Sequence, residues 1–88
     1  MNNHTPARPT LRQLQYFVAV ADTGAFGKAA QALAVSQPSL SQQLATMEAD
    51  LRAPLFERTS RRVRLTALGE RLLPRARMIL QELREFRA

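Results

Sequence analysis

Residues 26–44 read FGKAAQALAVSQPSLSQQL, and the punctuation inside this stretch decides the fold. Phe26, Ala29, Ala30 and Leu33 recur at helical intervals and leave Lys28 and Gln31 on the other side, which predicts a short helix over residues 26–33. The paired alanines allow another helix to come close. Ala34 and Val35 make a brief connection to Ser36, a good N-cap, and Pro38 follows in the first turn, where its missing N–H costs nothing. Leu40, Leu44, Met47 and Leu51 then form one apolar stripe of a further helix. Two helices joined by a tight connection, the second opening on small polar side chains, match a helix-turn-helix.

Towards the N-terminus, Thr10 and Gln13 have capping-box spacing and are followed by Leu11, Leu14, Phe17, Val18 and Ala21, so a helix is expected from Thr10 to about Thr23, broken by Gly24. Residues 1–9 read as a flexible arm. Towards the C-terminus, Pro54 is expected to stop the helix that begins near Gln37. The stretches Leu55-Phe56-Glu57-Arg58 and Val63-Arg64-Leu65 alternate apolar with polar, as half-buried strands do, around the polar turn Thr59-Ser60-Arg61-Arg62. Thr66 caps a final helix whose Leu68, Leu72, Ala76, Ile79, Leu83 and Phe86 recur three or four apart, with Leu73 and Leu80 beside them and a kink expected at Pro74. The expected fold is therefore mainly α: a winged helix-turn-helix with a three-helix core, a two-stranded wing and a long C-terminal helix, which the family resemblance given below implies is a linker helix. Its expected divisions are an arm at 1–9, the winged domain at 10–65 and a linker or dimerisation helix at 66–88.

Composition narrows the function. A chain of 88 residues holds one modest core, so its stability is expected to lean on a partner chain. Thirteen basic residues, twelve of them arginine, oppose seven acidic ones and set a net charge of +6, which points to phosphate or carboxylate partners. With no cysteine, disulfide scaffolds, thiolate zinc sites and cysteine nucleophiles are excluded. No run approaches the roughly 20 apolar residues of a membrane span, and the polar N-terminus lacks a signal-peptide core, so a soluble cytoplasmic chain with no membrane partner is expected. The only histidine, His4, sits in the arm, and no glycine-rich phosphate loop exists. Glu57, Glu70, Glu82 and Glu85 lie beside arginines on exposed faces. These features argue against an enzyme, a metal site and a cofactor.

The charge is uneven: residues 1–50 balance at three basic and three acidic, while residues 51–88 hold ten and four. Such a division suits a reader of double-stranded DNA, because phosphate contacts supply affinity and hydrogen bonds to base edges supply discrimination. Gln37, Ser41 and Gln42 are expected to project together from the helix that enters the groove, with Leu40 and Leu44 opposite. Glutamine can pair with adenine N6 and N7, and the Pro38 ring can press on a thymine methyl. At the hairpin, Arg58, Arg61 and Arg62 are expected to reach phosphates, one of them entering a narrow minor groove. The expected phosphate contacts are Lys28, Ser39, Thr46, Arg58 and Thr59, and the expected dimer contacts are Leu72, Ala76, Ile79, Leu80, Leu83 and Phe86. The bland alternative is a capped helix with a solvated polar face and a solvated charge run. A rival function is a protein interaction module acting through the apolar last helix and the basic hairpin.

Taken together, LRQLQYFVAVADTGAFGKAAQALAVSQPSLSQQL and MEADLRAPLFERTSRRVRLTALGERLL resemble the N-terminal DNA-binding region of LysR-type bacterial transcriptional regulators. The most telling parts are Ala29-Ala30, Ser36-Gln37-Pro38, Ser41, Leu55-Phe56-Glu57-Arg58, and Leu65-Thr66 with Gly69. The resemblance implies a homodimer paired through the linker helix, each protomer reading half of an inverted-repeat operator, with a tetramer also open to a full-length parent. It implies base contacts from Gln37, Pro38, Ser41 and Gln42 and a minor-groove contact from Arg61, with Arg62 beside it. FGKAA, ERTSRRV and GERLLP are similar to the peroxide-sensing branch. Three departures from the family pattern stand out: Gln42 replaces a frequent arginine, Arg52 a frequent glycine, and Ala25 a frequent serine cap.

Overall fold

The computed structural model describes residues 8–59 and 62–88. They form α1 (Leu11–Thr23), α2 (Phe26–Leu33), α3 (Gln37–Leu51), β1 (Phe56–Arg58), β2 (Val63–Leu65) and α4 (Ala67–Arg87). The expected arm lies almost wholly outside the described residues.

Each main helix starts where a side chain can satisfy the free backbone donors of its first turn. At α1 the capping box is complete: the Gln13 N–H donates to Thr10 Oγ1 at 3.0 Å, and the Thr10 N–H donates to Gln13 Oε1 at 3.1 Å. At α3 the Ser39 N–H donates to Ser36 Oγ at 3.1 Å, and at α4 the Gly69 N–H donates to Thr66 Oγ1 at 3.0 Å. Ala25 gives α2 no side-chain cap. The Thr23 hydroxyl lies 2.8 Å from the Ala19 carbonyl and 3.0 Å from the Ala25 carbonyl, so it holds the turn without replacing that cap.

α1 ends at Gly24, which is left-handed with φ 76°, as the sequence suggests, but the next two helices end on left-handed residues other than glycine. After α2, Ala34 takes a left-handed conformation with φ 58°, the Val35 N–H reaches the Ala30 carbonyl at 3.0 Å, and the Ala34 N–H reaches Gln31 at 3.2 Å. Arg52 repeats this after α3 with φ 60°, the Ala53 N–H reaching the Glu48 carbonyl at 3.1 Å. Both are Schellman turns built without glycine. Arg52, rather than Pro54, therefore ends α3, and Pro54 only confirms the exit.

β1 and β2 pair antiparallel in the register Phe56↔Leu65, Glu57↔Arg64 and Arg58↔Val63. The Thr59 N–H donates to the Arg62 carbonyl at 3.1 Å and closes the wing. The start of α4 is held against the base of the wing, because the Thr66 N–H donates to the Leu55 carbonyl at 2.9 Å and the Thr66 hydroxyl to the Pro54 carbonyl at 2.8 Å. Gly69 makes this approach possible: a Cβ there would collide with the Leu55 carbonyl oxygen and come within 2.8 Å of Leu65 Cδ2.

Phe17, Val20, Leu40, Leu44 and Leu55 are fully buried at the centre. Phe56 brings the wing into this core, its ring edge-on to Phe17 at 5.6 Å and to Phe26 at 6.1 Å. From α4, which is continuous through Pro74, Ala76 and Leu80 are buried in the same core at 2 % and 8 % exposure. This corrects the expectation for these two residues, because α4 turns one side onto the core of its own chain and spends them there. Met78, Ile79 and Phe86 are the large apolar side chains that α4 leaves exposed.

Candidate nucleic-acid interface

Leu40, Leu44 and Met47 anchor α3 from below, and the cap at Ser36 aims its first turn outward. Gln37, Pro38, Ser39 and Gln42 are exposed, and Ser41 is half-buried. None of these side chains is charged, so this end of α3 offers side-chain donors and acceptors that carry no formal charge.

Gln37, Ser41 and Gln42 do not share one face as expected. An α-helix advances about 100° per residue, so residues four apart stay about 40° apart while the fifth lies about 140° round. Gln37 and Ser41 accordingly line a hollow with Phe26 and Arg58 on the wing side. Gln42 lines a second hollow with Ser36, Ser39 and Gln43, walled on the far side by Arg12 and Gln15 of α1. The exposed ridge of α3 runs between the two.

The wing side is built around Glu48. Its Oε2 accepts the N–H groups of Leu55 at 2.7 Å and Phe56 at 3.3 Å, and its Oε1 lies 3.6 Å from Arg58 Nη2. The Arg58 guanidinium carbon also sits 4.6 Å above the Phe26 ring, a cation–π arrangement. Arg58 is thus held between α2 and α3 with half of its side chain exposed. As a phosphate contact it would have to share its charge with Glu48.

Arg62 and Arg64 are exposed on the wing, Lys28 on α2 and Thr46 on α3, and Thr59 lies in the closing turn. Arg61 lies outside the described residues. Among the described residues the ion pairs are Arg58–Glu48 and Arg77–Asp22, which leaves Arg12, Lys28, Arg62 and Arg64 without a carboxylate partner. No group of three or more His, Cys, Asp or Glu among the described residues could hold a metal, and no described helix is long and apolar enough to cross a membrane.

Two features escape the sequence pattern. Glu48 lies on the half-buried side of α3, and only the fold reveals that its carboxylate meets the backbone of β1. Gln13, already used in the α1 cap, also donates from Nε2 to Gln43 Oε1 at 3.2 Å and ties α1 to α3. That tie fixes Arg12 and Gln15 beside Gln42. The one available signal is that Arg12 is among only three basic residues in the first fifty.

Residues 11–70 match the bacterial regulatory helix-turn-helix protein, lysR family. The chain is 54 % identical over 70 residues to the HTH-type transcriptional regulator TfdT of Cupriavidus pinatubonensis, covering 80 % of this chain and 31 % of that protein. It is similar to a mutant OxyR of Corynebacterium glutamicum solved with H2O2 bound, with a TM-score of 0.89 and 46 % identity, over 93 % of this chain and 26 % of that one. A structure described as a CbnR DNA-binding domain–DNA complex matches with a TM-score of 0.82 and 45 % identity, over 86 % of this chain and 87 % of that one. The chain thus spans about a third or less of the length of TfdT and OxyR.

Proposed function

The chain belongs to the lysR family of bacterial regulatory helix-turn-helix proteins, and we propose that it binds double-stranded DNA sequence-specifically, as the operator-reading region of a transcriptional regulator. The observation that carries this function is the exposed, uncharged polar start of α3 standing between cationic flanks: Arg12 on one side and Arg58 on the other, with Arg62 and Arg64 exposed on the wing. Neutral amides and hydroxyls read base edges, and arginines hold the phosphates beside them.

In this proposal Gln37, Pro38, Ser41 and Gln42 enter the major groove. The wing, with Arg62 and its neighbour Arg61, follows the backbone towards the minor groove. Lys28, Ser39, Thr46, Arg58 and Thr59 contact phosphates. Residues 66–88 serve as the linker helix through which two copies pair on an inverted-repeat operator, using Ile79, Leu83 and Phe86 with Met78 rather than Ala76 and Leu80.

The structural likeness to a CbnR DNA-binding domain solved with DNA favours this function over protein docking by the basic hairpin. TfdT and OxyR match this chain at comparable identity, so the similarity supports the family without singling out its peroxide-sensing branch. A selection on random duplexes, followed by titration of the winning sequence and a scrambled one, tests the proposal. Preference for the winner supports it, and equal affinity for both overturns it.

A further inference from the structure

The hollow beside Gln42 has a composition that the base-reading role of α3 does not require. Its α1 wall carries Arg12 and Gln15, both exposed, and its α3 wall carries Ser36, Ser39, Gln42 and Gln43. Arg12 has no carboxylate within ion-pairing distance among the described residues. Arginine presents a planar fork of donors suited to phosphate oxygens, and here that fork borders a rim of hydroxyls and amides with no competing acid. The Gln13–Gln43 hydrogen bond at 3.2 Å holds the two walls together, so the site does not depend on a mobile loop.

We infer that this hollow between α1 and α3 clasps a DNA backbone phosphate, with Arg12 as its charged ligand and Gln15 and the Ser39 hydroxyl as neutral donors. The inference rests on the DNA-binding function proposed above and adds a second anchor to it. The α3 residues that share a hollow with Arg12 (Ser39, Gln42, Gln43) fall roughly opposite those that share one with Arg58 (Gln37, Ser41), at about 100° per residue. The reading helix would then be held from both flanks, which fixes its rotation about its own axis as well as its depth. That rotation decides whether the Gln42 amide meets a base edge squarely, so a contact without sequence information would still support discrimination.

The test compares the 88-residue chain with Arg12→Ala and Arg12→Lys on the selected duplex and a scrambled duplex, across a series of salt concentrations. A phosphate contact contributes a slope of about −0.9 in log affinity against log salt. Arg12→Ala is expected to weaken binding to both duplexes and to flatten the slope by about that amount per protomer, while Arg12→Lys keeps most of it. Replacing single phosphates with neutral methylphosphonates should reveal one position per half-site that weakens the parent chain and leaves Arg12→Ala unaffected. Arg12 is exposed, so unchanged melting curves are expected for both variants. An unchanged slope for Arg12→Ala, or the absence of any such phosphate position, overturns the inference. If the parent chain binds both duplexes equally while Arg12→Ala still flattens the slope, the phosphate clasp stands and sequence-specific reading falls. No binding to either duplex overturns both.

Discussion

Glu48 and Arg58 lie 3.6 Å apart across the junction between α3 and β1, and the second oxygen of the Glu48 carboxylate accepts the backbone N–H groups of Leu55 and Phe56 at 2.7 and 3.3 Å. One side chain of the proposed reading helix therefore sets the position of the wing. The ion pair contributes little by itself, because Arg58 is half exposed and solvent screens it. The hydrogen bonds matter more: Leu55 is fully buried and Phe56 nearly so, and an unpaired buried N–H costs about 1–3 kcal/mol. Glu48→Ala is expected to destabilise the chain by about 2–4 kcal/mol in urea titration, against about 1 kcal/mol or less for Arg58→Ala. Since Arg58→Ala also removes the contact over Phe26, a loss from Glu48→Ala no greater than that from Arg58→Ala would contradict a dominant role for the backbone bonds.

Ala34 and Arg52 occupy left-handed positions at φ 58° and 60°, where a Cβ costs about 1–2 kcal/mol. Glycine removes that strain and returns part of the gain through a freer unfolded chain. Ala34→Gly and Arg52→Gly should each stabilise by about 0.5–1 kcal/mol, and their effects should add because they lie at different helix ends. Chemical denaturation of the two single variants and the double variant checks this.

Gly69 faces the opposite constraint. A methyl group there would meet the end of the Leu65 side chain and the Leu55 carbonyl, and the carbonyl, being backbone, cannot yield without shifting the base of the wing. Gly69→Ala is expected to cost about 1–3 kcal/mol, as overpacking does, although alanine is the better helix former. A rise in melting temperature would contradict the packing described for the start of α4.

At the proposed base-reading positions, Gln42→Ala should relax the preference at one base pair by about 1–3 kcal/mol and leave the salt slope nearly unchanged. Gln42→Arg should move that preference from adenine to guanine. Selections repeated with both variants give the readout.

On α4, Ile79 and Phe86 are exposed at 46 % and 87 %, while Leu80 lies in the core. If residues 66–88 pair two copies, Phe86→Asp and Ile79→Asp should yield folded monomers in sedimentation at high micromolar concentration. Leu80→Ala should instead lower stability by about 2–4 kcal/mol without first dissociating a dimer.

The sequence makes the helix starts legible, because Thr10, Ser36 and Thr66 each precede an apolar period and carry a hydroxyl that caps. The wing is legible in part: alternation survives over Val63–Leu65, whereas Phe56–Arg58 buries only its first residue. Helix ends are less so. A left-handed alanine or arginine gives little signal, since neither residue type favours that conformation as the glycine at position 24 does. The apolar face of α4 is broader than one stripe, and only packing against α1 decides that Ala76 and Leu80 turn inward while Ile79 and Phe86 do not. At the interface, residue types point to the polar start of α3, but a helix-face argument places Gln42 too close to Gln37. The partners of Glu48 and the wall formed by Arg12 depend on contacts across elements, which spacing along one helix does not encode.

The most direct measurement is the affinity of the chain for its best selected duplex against a scrambled duplex of equal length and composition, at several salt concentrations. Sequence-specific recognition by α3 predicts a ratio on the order of 10³ or more in favour of the selected duplex, persisting as salt weakens both. A ratio near one at every salt concentration would contradict it and leave only phosphate attraction.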